Sequence, residues 1–554
     1  MLLYTTLLLG TTLAAAVSLP VVEQLIPRAV SSSPTVTLKN GTYEGVHLPE
    51  FKQDLYLGMP FAQPPTGALR FSQPVSLNST WQGVKNATSF GPGCLDSEDC
   101  LTINVVKPAG SSTKELPVLF WIFGGGFAGG SAADPAFNGS YIVQRSVQLG
   151  TPIIFVSINH RYGPLGLLAS PEVKDSGLLN AGMLDQRLAL HWVQENIASF
   201  GGSHKKVTLW GHSSGGYSVH AQAAAYGGRD DGLFRSLILD SSIMAFQNWT
   251  VESQTAGYET ILANTNCTSA AAQLDCLRAV PIDTFRNASA GTGVYYPVPD
   301  GSFMQTSMMQ AYRKGAFVKV PTIIGATSDD GTSGFLAPSG LNNDTAFEVA
   351  MLFALTPKNG TIQKYMEVYP NDPAAGAPYN TGEGVLPSGS QDKRSFAIFT
   401  DMVHAATRYA TKRRSAFSSA SKSKPASPVY SYRFAQIPQN GTMTSGVTHG
   451  SELPYIFGIR DHNATESPLG NRPEDEKLSR VMQDSWIRFV VSSDPNVTPL
   501  LASPKVKWEA YGKKGRNLVF KNSGLRMEKD DYREEGINLS IALALGELVS
   551  TLGI

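Results

Sequence analysis

Val207-Thr208-Leu209-Trp210-Gly211-His212-Ser213-Ser214-Gly215-Gly216-Tyr217 is the stretch on which the fold turns. Residues 207–210 read as a buried strand and residues 217–225 as a helix, so the Gly-x-Ser-x-Gly core sits at a strand-to-helix turn. A serine on so sharp a turn needs small neighbours, because its strained backbone brings other chain segments close. The turn lifts the Ser213 hydroxyl above a sheet. It also puts the following amide, that of Ser214, at a helix N-terminus, where it stabilises negative charge.

Upstream, Phe123-Gly124-Gly125-Gly126-Phe127 closes an apolar run that begins at Leu116. Glycine amides unshielded by any Cβ can point together at one small anion. A phosphate-binding loop is the rival reading, but no Gly-Lys-Ser/Thr follows and no basic residue lies nearby. The pattern therefore favours an oxyanion hole built from the amides of Gly125, Gly126 and Ser214. Residues 116–123 and 151–158 read as strands apolar on both faces, and residues 236–240 and 321–325 add two more. Residues 189–197 have helical spacing between them. Strand alternating with helix predicts an α/β fold with a large, mostly parallel central sheet covered by helices on both faces.

The composition is compatible with that size of core and narrows the function. The 554 residues are 42% hydrophobic, with 25 Phe, 20 Tyr and 7 Trp, which excludes a mainly disordered chain. Forty-five basic residues balance 45 acidic ones, so no basic field exists to attract nucleic acid or anionic lipid. Only 16% of residues are charged, and sugar is the candidate for keeping the surface soluble. Asn-x-Ser/Thr sequons occur at Asn40, Asn78, Asn86, Asn138, Asn248, Asn266, Asn287, Asn343, Asn359, Asn440, Asn463, Asn496 and Asn538. Several of them are expected by chance alone in a chain rich in Ser, Thr and Asn.

The N-terminus reads as an export signal. Residues 1–18 carry the apolar run Leu7-Leu8-Leu9 and small residues near Ser18, although a basic n-region is missing. Residues 19–554 are then expected to form one catalytic domain. No other window holds 18 apolar residues without charge, so no transmembrane helix is expected, and the apolar residues 537–554, interrupted by Glu547, read as a docking helix. The polar tract 415–427 reads as an exposed loop or helix end inserted in the domain. Cys94 and Cys100 form one close pair and Cys267 and Cys276 another; of three possible connectivities, proximity selects these two local disulfides in an oxidising compartment. Metal binding is the weaker alternative, because neither pair has Cys-x-x-Cys spacing or a histidine cluster beside it. No metal or cofactor is called for.

Further blocks surround these elements: Leu57-Gly58-Met59-Pro60-Phe61-Ala62, Ser97-Glu98-Asp99-Cys100-Leu101, Asn159-His160-Arg161-Tyr162-Gly163-Pro164-Leu165-Gly166, Leu184-Asp185-Gln186 and Asn196-Ile197-Ala198-Ser199-Phe200-Gly201-Gly202. Taken in order with the triple glycine and the serine turn, they resemble the type-B carboxylesterase/lipase family, the cholinesterase-like branch of the α/β-hydrolases, and its secreted fungal members in particular. The resemblance spans residues 57–511. It implies an α/β-hydrolase fold and a serine carboxylic ester hydrolase with triad order serine, acid, histidine.

That order points to Asp330, in Ser328-Asp329-Asp330-Gly331 after a strand, as the catalytic acid, and to His449, in Thr448-His449-Gly450-Ser451-Glu452, as the base. Of the histidines after Asp330, His404 lies among Met402, Val403, Ala405 and Ala406 and reads as a helix-packed structural residue, and His462 as a solvated one. The chemistry needs all three groups: His449 takes the proton of Ser213, and Asp330 holds the imidazole in the useful tautomer and balances its charge.

Four departures from the family pattern bear on the reaction. His212 replaces the usual glutamate before the nucleophile, which removes a carboxylate from beside the imidazole and introduces a group expected to titrate near neutral pH. Asp330 is one methylene shorter than the usual glutamate. Ser203 replaces a common aspartate after the Gly-Gly pair. Finally, only five residues separate Cys94 from Cys100, where the family's disulfide loop is long and forms a lid in lipases or carries the choline-binding tryptophan in cholinesterases. The resemblance thus implies soluble small-molecule esters as substrates, without interfacial activation and without preference for quaternary ammonium esters. The competing readings are a triacylglycerol lipase, an esterase of a secondary-metabolite pathway and a non-catalytic cholinesterase-like binding module.

Overall fold

The computed structural model describes residues 33–111, 114–242, 249–355, 361–418, 427–459, 469–496 and 506–547. The expected leader at residues 1–18, most of the polar tract 415–427, His462 and the sequons at Asn248, Asn359 and Asn463 lie outside the described residues.

Eleven strands form the main sheet: β1 (Val46–Leu48), β2 (Gln53–Pro60), β3 (Thr102–Pro108), β4 (Leu116–Ile122), β5 (Ile154–Ile158), β6 (Gly202–His212), β7 (Ser236–Asp240), β8 (Thr322–Thr327), β9 (Val429–Phe434), β10 (Arg516–Phe520) and β11 (Arg526–Lys529). Their spatial order is β11-β10-β9-β8-β7-β6-β4-β5-β3-β2-β1. Neighbours from β5 through β10 run parallel, whereas β3, β2 and β1 at one edge and β11 at the other pair antiparallel. The sheet is therefore mixed at its rims and parallel at its centre, the arrangement expected where helices cover both faces.

The central strands are buried along nearly their whole length, which is why each reads as a continuous apolar run. β6 begins five residues before the run at 207, because His204 and Lys205 point outward and mask its first half. Trp121 on β4 and Trp210 on β6 are register partners, 4.4 Å apart between ring centroids, and Phe457 stacks on Trp210 at 4.6 Å. This aromatic layer fixes the strands just before both functional turns. Beside it, Asp240 at the end of β7 accepts hydrogen bonds from the Trp210 indole and the Tyr432 hydroxyl. Burial pushes the Asp240 carboxyl up to about 7 despite those two donors.

The helix after Ser213, α1 (Ser214–Gly228), keeps regular geometry until Ala225, where the backbone leaves the helical region. A long helix, α2 (Asp392–Ser418), packs across β8 and β9 and carries most of its residues buried. It absorbs residues 415–418 of the tract read as a loop or helix end. Of the stretch 537–554 read as a docking helix, residues 537–545 belong to α5 (Glu534–Leu545), which packs on α2, and residues 548–554 lie outside the described residues; between α2 and α5 come α3 (Leu453–Phe457) and α4 (Pro473–Ser492).

Candidate active site

The nucleophile turn is built by steric exclusion. Ser213 joins β6 to α1 with φ 59° and ψ −124°, a strained conformation for a residue with a Cβ, and its amide is held by the Asp240 carbonyl at 3.0 Å. A Cβ on Gly211 would lie 2.3 Å from the Gly215 carbonyl oxygen, and one on Gly215 would lie 2.2 Å from that of Ile122. Both flanking glycines are thus required by backbone approach, the second because the first turn of α1 rests directly on the end of β4. That contact brings the Ser214 amide to the glycine loop.

The loop itself is as tightly constrained. A Cβ on Gly124 would meet the His212 carbonyl at 2.8 Å and the Ser213 Cβ at 2.9 Å, so this segment lies against the nucleophile turn. Gly125 has φ +121° and accepts hydrogen bonds at its carbonyl from the amides of Ala128 and Gly129. Among the described residues, the amides of Gly125, Gly126 and Ser214 donate no backbone hydrogen bond. Cys94 and Cys100 are bonded, with Cα atoms 5.1 Å apart, and the exposed Leu95 of that short loop is the nearest neighbour of a Cβ on Gly129. Cys267 and Cys276 form the second disulfide.

The acid and the imidazole arrive from the other side. Asp330 opens a single 3-10 turn, Asp330–Thr332, directly after β8 and is fully buried. Its Oδ1 lies 2.7 Å from His449 Nδ1, which donates, while its Oδ2 accepts from the Thr327 amide at 2.9 Å. The preceding Asp329 clamps the histidine loop: its carboxylate accepts from the amides of Val447 and Tyr379 at 2.9 Å each. With Nδ1 tied to Asp330, His449 presents Nε2 to the site, and this buried nitrogen has no hydrogen-bond partner among the described residues. Ser213 and His449 are not hydrogen-bonded to each other there; both adjoin His212, Ser213 by sequence and His449 with its ring centroid 4.4 Å from that of His212.

Three features differ from the sequence reading or add to it. His212 does not titrate near neutral pH: burial, and then the adjacent His449, hold its imidazole well below the ordinary histidine range. Glu452, at the head of α3, is fully buried with Oε1 3.9 Å from His212 Nε2, and burial with Asp330 and Asp240 pushes it well above the usual carboxylate range. Third, Ser241 Oγ, just past β7, stands 3.3 Å from both Asp330 Oδ2 and Glu452 Oε1, linking the two acids. Neither Ser241 nor Glu452 carries a local signature; only the spacing of Glu452 three residues after His449 hints at it. His404 is buried on α2 and donates from Nε2 to the Thr327 carbonyl at 2.9 Å, a structural role. Among the described residues no cluster of three or more His, Cys, Asp or Glu is placed to hold a metal, and no helix is long and apolar enough to cross a membrane.

The arrangement offers a hydroxyl on a strained turn, an imidazole anchored by a buried carboxylate, and unsatisfied amides, the parts from which acyl transfer is built. Comparison with known proteins agrees with that chemistry. Residues 32–538 match the family described as "Carboxylesterase family". Lipase 4 of Diutina rugosa is 33% identical over 92% of this chain and 96% of its own. Secreted lipase 1 of Botryotinia fuckeliana (strain B05.10) is 31% identical over 96% and 97%, respectively. Among solved structures, EstA of Aspergillus niger superposes with a TM-score of 0.80 at 30% identity, over 93% of this chain and 99% of that one.

Proposed function

Because the chain belongs to the carboxylesterase family and is a carboxylic ester hydrolase, we propose that it cleaves esters through an acyl-enzyme on Ser213, with His449 as base, Asp330 as its orienting acid and the amides of Gly125, Gly126 and Ser214 as the oxyanion hole. The observation that carries this reading is the 2.7 Å hydrogen bond from His449 Nδ1 to buried Asp330, which fixes the tautomer and leaves Nε2 without a hydrogen-bond partner among the described residues. His449 takes the Ser213 proton as Oγ attacks the ester carbonyl, and the oxyanion collects on the three amides. The imidazolium then protonates the departing alcohol. Water, deprotonated by the same imidazole, releases the acid and restores Ser213.

The substrates we propose are soluble esters. The disulfide loop from Cys94 to Cys100 spans a sequence separation of 6, too short to fold over the site as a lid. The second reading is a triacylglycerol lipase, favoured by the names of the relatives and by Leu95, exposed beside the glycine loop, and Phe335, exposed against the His449 ring. A p-nitrophenyl ester series of increasing chain length, together with tributyrin followed across its solubility limit, separates the two. We expect rates that saturate smoothly and favour dissolved short esters; a steep rise once droplets form assigns the lipase reading instead.

We also propose secretion with N-linked glycans. Asn78, Asn86, Asn138, Asn266, Asn287 and Asn343 are exposed sequon asparagines. Asn40 and Asn496 are different, because each commits its side-chain amide as donor to two oxygens, Leu77 O and Ser79 O for Asn40, and Asp494 Oδ1 and Trp508 O for Asn496. A sugar on that nitrogen displaces at least one of those bonds. Peptide mapping of the secreted protein before and after N-glycanase is expected to find sugar within the exposed set and none at Asn40 or Asn496; wholly unmodified sequons on a secreted chain contradict the glycan assignment.

A further inference from the structure

His212 occupies a position that the hydrolytic cycle proposed above does not use. Its ring fills the gap between the two functional loops: a Cβ on Gly124 would stand 3.5 Å from His212 Nδ1, and one on Gly450, next to His449, would stand 3.5 Å from His212 Cε1. Its ring lies tilted by 41° against that of His449. Its Nε2 is buried without a hydrogen-bond partner among the described residues, faces Glu452 Oε1 at 3.9 Å, and Glu452 Oε2 is equally unpartnered. A contraction of under 1 Å turns this approach into a hydrogen bond from His212 Nε2 to Glu452. Such a bond would tie the residue before Ser213 to the segment that bears His449.

We propose that His212 is a positioning residue for His449: its ring, 4.4 Å from that of the base, fills the space beside it and so sets the acid limit of ester hydrolysis. The ionisable groups around it come from every neighbouring element: Asp240 at the end of β7, Asp330 after β8, His449 in its loop and Glu452 at the head of α3. Glycine loop and first turn of α1 contribute no charged side chain beside it. Burial keeps His212 neutral, so it neither supports nor opposes an imidazolium electrostatically as a charge would. A carboxylate at the same place, within about 4–6 Å of His449, stabilises the protonated imidazole and takes the base out of action at a higher pH. The chain with His212 therefore continues to work in more acidic medium than the same chain with glutamate there.

The inference rests on the role proposed for Ser213 and His449, and its test keeps the two apart. Initial-rate pH profiles of kcat/KM for a p-nitrophenyl ester are compared among the unaltered protein, His212→Glu and His212→Gln, with folding checked by circular dichroism. We expect the acid limb of His212→Glu to move up by about one pH unit. We expect that of His212→Gln, neutral and able to donate to Glu452, to stay in place, with loss in kcat rather than a rise in KM. If the acid limb is unmoved in His212→Glu, or moves equally in His212→Gln, the inference is overturned while the hydrolase reading stands. If the unaltered chain hydrolyses no ester at all, both fall together.

Discussion

Replacing Ser213 with alanine is expected to lower kcat for ester hydrolysis by at least about 10⁴-fold, with KM and melting temperature close to those of the unaltered chain. The size follows from the division of labour in the site. In the proposed mechanism alanine removes the atom that bonds to the acyl carbon, so neither the imidazole anchored to Asp330 nor the amides of the glycine loop would have a covalent step to assist. The fold has little reason to notice, because what holds the turn is backbone contact: the Ser213 amide on the Asp240 carbonyl and the close approach of Gly215 to the end of β4. His449→Ala is expected to fall in the same range, and the double variant to lose little more than either single one, since the two groups act as a unit. A Ser213→Ala protein that keeps more than about one hundredth of the activity rejects the assignment.

Gly125→Ala is the second large effect, expected at about 10²- to 10³-fold in kcat. A methyl group there falls 2.2 Å from the Gly129 carbonyl oxygen, and the residue needs φ +121°, a region L side chains rarely adopt. The loop must shift, and the amides of Gly125 and Gly126 shift with it. Gly126→Ala provides the internal contrast. Its φ is +64°, but nothing stands within 4 Å of the added methyl, so only the modest cost of a left-handed alanine applies and the rate loss is smaller. Steady-state kinetics of the pair, at constant melting temperature, decide the matter; equal losses, or none at Gly125, speak against the glycine loop as the oxyanion hole.

The central sheet and the nucleophile turn were legible because their determinants are local. β4, β5, β7 and β8 are apolar on both faces, and Gly211 and Gly215 betray a backbone crossing that no side chain survives. The edges were not legible. β1 and β11 are short and partly exposed, and read as nothing in particular until a neighbour pairs with them. In the site, Asp330 and His449 came from the order of blocks along the chain, whereas Glu452 and Ser241 depend on folding: the Ser241 hydroxyl meets acids 89 and 211 residues away. His212 shows the same limit from another direction. As a residue type it titrates near neutrality; enclosed by Gly124, Gly450, His449 and Glu452 it does not, and only the enclosure reveals this.

Exposure of the folded protein to a fluorophosphonate, followed by intact-mass measurement and peptide sequencing, tests the account most directly. The prediction is a single covalent adduct on Ser213, formed with loss of the leaving group, accompanied by complete loss of esterase activity and absent from Ser213→Ala. A folded, ester-cleaving protein that takes no label, or takes it on another residue, contradicts it.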